Sequence, residues 1–197
     1  MHREALRVIR DEHATLTALL NALLQMVQRG PEADGKDRRE LYFDVLRAML
    51  FYIDEFPERH HHPKESDLLF PRLARAAPHT LGLIEQLEQE HMTGEQRVRE
   101  LIHLLMAWEY LGEPRRRAFE DEVTRYVGFY LQHIRQEEAV ILPEAEKHLS
   151  EADWRVLNAA FASNRDPLCS SIPRDPLFDR LFARILISAP APVGLGH

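Results

Sequence analysis

Four stretches of the 197-residue chain repeat apolar residues at alternating three- and four-residue steps. That rhythm gathers one stripe of side chains on one side of an α-helix and does not fit the two-residue period of a strand. The first stripe is Leu6, Ile9, His13, Leu16, Leu20, Leu23 and Val27, and it stops at "RGPEADG", a loop by its Gly, Pro and Asp. The second runs from about Arg38 through Val45, Met49, Ile53 and Phe56 into a histidine cluster and ends near "ARAAPHT". The third is Ile84, Leu87, His91, Gly94, Val98, Leu101, Leu105 and Trp108, broken at "LGEP", where Pro114 suits a first helical turn. The fourth is Phe119, Val123, Tyr126, Tyr130, His133, Glu137 and Val140. Long helices with short connections predict an all-α fold, an antiparallel four-helix bundle over residues 1–149.

Residues 150–197 have a different character and read as a helical appendix and tail packing on that bundle. Ser150 and Asp153 have capping-box spacing, opening a short helix through Trp154, Leu157 and Phe161. The tetrapeptide Arg-Asp-Pro-Leu occurs at 165–168 and again at 174–177, and each copy reads as an N-cap with Pro at the first helical position. The second copy predicts a last amphipathic helix with Leu177, Leu181, Phe182 and Ile185. The tail "SAPAPVGLGH" reads as extended or frayed.

His13, His91 and His133 each occupy a stripe position that calls for an apolar residue. So does Glu137, one turn after His133, whereas Glu138 falls off the stripe and is expected in solvent. A single histidine on an apolar face is most simply a hydrogen-bonded core residue. Three such histidines from three helices, with a carboxylate among them, are harder to explain by packing. A buried carboxylate without a partner costs several kcal/mol, roughly, and a shared cation removes that cost.

In the second helix, "ERHHHPKE" offers His61 and Glu65 at the same four-residue spacing as His133 and Glu137. Two such pairs would set two carboxylates between two cations. Imidazole with carboxylate and no thiolate suits iron or manganese better than structural zinc. Pro63 lacks an N–H and crowds residue 59, so a kink or restart is expected between His61 and Glu65. His60 and His62 compete with His61, their default reading being exposed residues.

Composition narrows the function classes. A net charge of −7 without a basic stripe gives no support to nucleic-acid binding. Charges interrupt "MHREALRVIRDEHATL" every few residues, so it reads as neither signal peptide nor membrane span. The one cysteine, Cys169, cannot form an internal disulfide. A cytoplasmic protein with no membrane partner is the expectation.

"IRDEH", "HHPKESDLLFP", "EQEHMTGE" and "HIRQEEAVILPEAE", in that order on four helices, resemble the hemerythrin-like family of HHE cation-binding domains over about residues 5–148. The resemblance implies a bundle around two non-haem iron ions, with room for an oxo bridge, and manganese or zinc as substitutes. It implies the metal ligands His13, His61, Glu65, His91, His133 and Glu137, with Glu65 and Glu137 bridging. Oxygen-carrying hemerythrins have a second histidine one turn after the first on helix three, where this chain has Glu95. The remaining four histidines are similar to those of bacterial di-iron proteins of nitric-oxide response and iron-centre repair, whose N-terminal cysteine-bearing extension has no counterpart here. Both departures tell against reversible oxygen carriage and against a dedicated repair role.

The implied function is a metal-binding protein that binds or senses a small oxidant (oxygen, nitric oxide or peroxide) or handles iron. The alternative is a di-iron oxidoreductase of ferroxidase, peroxidase, nitric-oxide reductase or iron-centre repair type. A homodimer is compatible with either. Glu95 reads as a surface or salt-bridging residue, with ligation as its alternative. Gly94 leaves room either for a diatomic ligand or metal pair or for close helix packing. Tyr126 and Tyr130 read as core.

Overall fold

The structure is a computed structural model, described here for residues 3–31, 39–164, 166–169 and 176–196. It is all-helical, and no strand occurs among the described residues. Helix α1 is Glu4–Arg29, α2 covers residues 39–76, α3 is Leu81–Leu111, and α4 covers residues 116–148. Two shorter helices follow, α5 at Glu151–Phe161 and α6 at Asp179–Ser188. The start expected at Arg38, most of the loop before it, and Arg165, Arg174 and Asp175 of the repeated tetrapeptide lie outside the described residues.

The four long helices contact one another in a ring: α1 touches α2 and α4, and α3 touches the same two. Their stripes meet inside it, with Leu20, Leu46, Leu101 and Val123 all fully buried. Helix α5 packs on α1 and α6 on α2. The Ser150–Asp153 capping box forms in both directions. The core is divided along its length: one apolar cluster holds Leu23, Met49, Trp108 and Phe119, another Ile9, Phe70, Leu142 and Trp154. The buried histidines and glutamates lie in the register between them. Among the described residues, no helix is long and apolar enough to cross a membrane.

At the prolines the helices change type. No restart occurs at Pro63: backbone angles stay in the right-handed helical region from His61 to Glu65. Instead α2 widens into π-helix at Asp54–His61 and again at Glu65–Leu69, and α4 does so at Glu137–Ile141. The His62 N–H reaches the Pro57 carbonyl five residues back, Phe70 reaches Glu65, and Leu142 reaches Glu137. A π turn inserts one residue, relieving the clash a proline ring makes in a regular helix. It also advances the face. Val140, expected on the buried stripe, is 40% exposed, and Ile141 is fully buried in its place.

The appendix needs two further corrections. Asp166 and Pro167 start no helix; the Asp166 side chain accepts the Leu168 N–H at 2.8 Å within a turn. Leu177 lies in a short 3-10 turn ahead of α6 and is exposed, while Ile185 is buried.

Candidate metal centre

His13 stands on α1, His61 and Glu65 on α2, His91 on α3, and His133 and Glu137 on α4, all buried. The fold brings the six together. His61 Nε2 lies 3.3 Å from Glu65 Oε1, and His91 Nε2 lies 3.6 Å from Glu65 Oε2. His13 Nε2 lies 3.3 Å from Glu137 Oε2, while His133 Nε2 lies 3.3 Å and His91 Nε2 3.7 Å from Glu137 Oε1. Each carboxylate therefore faces one imidazole group with one oxygen and a different group with the other.

These distances are not hydrogen bonds. Among the described residues, Nε2 of His61, His91 and His133 and all four carboxylate oxygens of Glu65 and Glu137 are buried without a hydrogen-bond partner. So many orphaned polar atoms at one interior point would be costly in an apoprotein core. Lone-pair donors facing a common centre are the arrangement a cation needs.

The outer side of each ring supports the same conclusion. His61 Nδ1 lies 2.7 Å from Glu12, His133 Nδ1 2.8 Å from Glu90, and His13 Nδ1 3.3 Å from Glu138. His91 Nδ1 lies 3.0 Å from the Ser66 hydroxyl. An ionised carboxylate only accepts, so Nδ1 holds the proton there and Nε2 presents its lone pair inward. Glu138 is half-exposed, as its phase predicts, yet it serves as the outer partner of His13.

A hemerythrin HHE cation-binding domain model matches residues 4–145. The chain belongs to that family. No curated protein matches it. The HHE domain is a cation-binding module, and the buried histidine–glutamate cluster fits a metal site.

The buried histidines and carboxylates of the HHE domain shift one another's protonation. Burial presses the His133 imidazole down, but Glu137 and Glu90 outweigh it and raise the pKa to about 10. His61 is likewise raised well above its usual value, burial being overcome by Glu65 and Glu12. Burial disfavours the Glu137 carboxylate, yet His133 and His13 hold it well below the usual range.

His62, expected at the surface, is only 5% exposed in this HHE domain, whereas His60 is exposed. The widened π turn explains it: adjacent residues can both face inward there. His62 Nδ1 lies 3.1 Å from Glu58 Oε2, and the Tyr130 hydroxyl donates to Glu58 Oε1. Burial and the neighbouring His91 push its pKa well below the usual histidine value. Three consecutive histidines next to two prolines were the signal; a π-helix was the missing inference.

Of the two readings of Gly94, the structure supports close helix packing. A Cβ there would lie 2.9 Å from the Tyr130 hydroxyl and 3.1 Å from Glu58 Oε1, so the glycine makes room for that pair. Glu95 is partly exposed and pairs with Arg99. Two openings flank the HHE cluster. A cavity of about 20 Å³ is lined by His13, Leu16, Tyr52, Phe56 and His61, and a cleft of about 160 Å³ reaches His62 and His91 past Glu95.

Proposed function

We propose that this HHE domain is a non-haem di-iron protein that binds or senses a small oxidant such as oxygen, nitric oxide or peroxide, or handles iron. The long helices would form an antiparallel bundle with His13, His61, Glu65, His91, His133 and Glu137 as ligands. The observation that carries the reading is the set of buried, unpartnered nitrogen and oxygen atoms turned to one centre. Glu65 and Glu137, each facing two imidazole groups, are suited to bridge two ions. Imidazole and carboxylate donors without thiolate favour iron or manganese. Iron bound there would supply redox equivalents and coordination positions for an exogenous ligand.

The protein's own residues restrict what that ligand can be. The cavity beside His13 and His61 has room for about one water-sized molecule. Leu16 and Phe56 make part of its wall apolar, which suits oxygen or nitric oxide better than an organic substrate. Loading with ferrous iron under anaerobic conditions, followed by metal analysis and absorption spectroscopy, tests the reading. Uptake of two irons per chain with a visible change on adding oxygen or nitric oxide supports it; fewer than about one iron per two chains overturns it.

The oxidoreductase alternative draws on the cleft at His91, which gives solvent a path to the cluster. Repeated turnover with excess reductant and oxidant would favour it; one stoichiometric oxidation would favour binding.

A further inference from the structure

We propose that His79, Glu144 and His148 form a second metal site, at the protein surface, that takes a zinc-class divalent cation and leaves a coordination position to water. It stands apart from the interior centre and does not rest on the reading given to that centre. His79 lies in the 3-10 turn Pro78–Thr80 between α2 and α3, and Glu144 and His148 stand one turn apart at the end of α4. His79 Nε2 is 2.6 Å and His148 Nε2 3.2 Å from the same carboxylate oxygen, Glu144 Oε2. A ring nitrogen of each histidine and a Glu144 oxygen all lie within 4.8 Å of one another. Tetrahedral zinc, bonded at about 2.0–2.2 Å, sets its ligands roughly 3.3 Å apart. Small side-chain rotations bring the three groups to that spacing.

Ring orientation suits a shared ion. The planes of His79 and His148 are inclined at 69°, with centroids 5.8 Å apart. Imidazole lone pairs lie in the ring plane, so steeply inclined rings can aim at one point. Lys147 Nζ is 3.8 Å from Glu144 Oε1, the other oxygen, and leaves Oε2 to the imidazoles.

The backbone fixes both sides of the site. Thr80 donates to the Ala77 carbonyl through its hydroxyl at 2.8 Å and its N–H at 3.0 Å. Leu73, Ala77, Ala145 and Leu149 are buried in one apolar cluster beneath the three side chains' elements. Exposed ion pairs add little to stability, so the fold does not need two imidazoles on one oxygen. Imidazole and carboxylate donors bind nickel, copper and zinc more tightly than ferrous iron. Three protein ligands with solvent at the fourth position make an open zinc site, and His79 is 62% exposed. The ion ties the end of α4 to the turn that follows α2, and these two helices carry the paired His-x-x-x-Glu segments.

The test uses the full chain saturated with iron and dialysed against zinc buffered at about 10 µM free, well below the range of adventitious binding. Wild type should hold one zinc per chain more than His79→Ala/His148→Ala, whatever the interior contains. Each single variant should bind this zinc more than about tenfold weaker, the least that loss of even an outer partner of a ligand brings. His103→Ala, at an exposed position of α3, should match wild type. Diffraction from zinc-soaked crystals at the zinc absorption edge should place the ion between His79, Glu144 and His148. Equal zinc in wild type and the double variant, or an ion placed elsewhere, overturns the proposal and leaves the interior centre untouched. Failure of the interior to take iron would overturn the di-iron reading alone.

Discussion

Gly94 on α3 faces Tyr130 on α4 so closely that a methyl group on its backbone would sit 2.9 Å from the tyrosine hydroxyl. Gly94→Ala sets two effects against each other. Alanine gains up to about 1 kcal/mol of helix preference, but overpacking against a rigid ring costs about 1–3 kcal/mol. Tyr130 is buried and cannot swing away, so a net loss of about 1 kcal/mol is expected. Thermal melting of the metal-free variant checks the sign, and a rise in Tm would contradict the tight contact.

Glu137→Gln should lower iron uptake more than Glu138→Gln. Glu137 is 1% exposed and faces His13 and His133 with different oxygens, whereas Glu138 touches only the outer nitrogen of His13. The amide keeps the shape but loses the charge and one acceptor. Iron per chain after gel filtration should fall to one or fewer in the first variant and stay near two in the second, by the two-metal reading. Equal content in both would argue against a bridging role.

The C-terminal segment reaches the centre through a relay. Asn164 donates to both oxygens of Glu12 at 2.9 and 3.0 Å, and Glu12 accepts from His61. Asn164→Ala should therefore weaken iron binding about tenfold, the lower end of what outer partners of ligands contribute. Competition with a calibrated chelator measures it. An unchanged affinity would mean that the segment merely covers the site.

Protonation should affect the metal-free and iron-loaded forms in opposite directions. The His133 pKa is raised to about 10 in the folded chain, against about 6.5 when unfolded. Its contribution to stability is then complete below pH 6.5 and disappears as pH rises towards 10. Glu137, held low, contributes above its unfolded pKa and loses its contribution in acid. The chelated protein should melt highest near pH 5–6, and its decline above about pH 6.5 should flatten in His133→Gln. Ferrous or manganous affinity should instead rise with pH, because binding displaces protons from His61 and His133. Titration calorimetry in two buffers of different ionisation enthalpy would show whether protons are released.

Tyr52 and Asp166 make a buried hydrogen bond of 2.6 Å between α2 and the turn after α5. Burial raises the Asp166 carboxyl to about pKa 6 although Tyr52 opposes the shift. Tyr52→Phe strands that group and should cost about 1–3 kcal/mol, more above pH 6 than below. A denaturant midpoint identical to wild type at pH 8 would refute this.

The amino-acid sequence determined the helices and most of the cluster. Periodicity is local, so a histidine in a leucine's place at 13, 91 or 133 already says that it faces inward. The paired His-x-x-x-Glu segments in α2 and α4 follow from the same spacing. What the pattern missed begins where the period changes. A π turn shifts the face by one residue, which moved Val140 outward, Ile141 inward and His62 into the interior. The prolines mark where the period can change, but the spacing alone does not say that the change is a π turn. The same holds for Gly94, whose reason is a tyrosine on another helix, and for Asn164, which acts on a glutamate 152 residues away. Local spacing sets which groups a helix turns inward. Only packing across the interior decides which atoms meet.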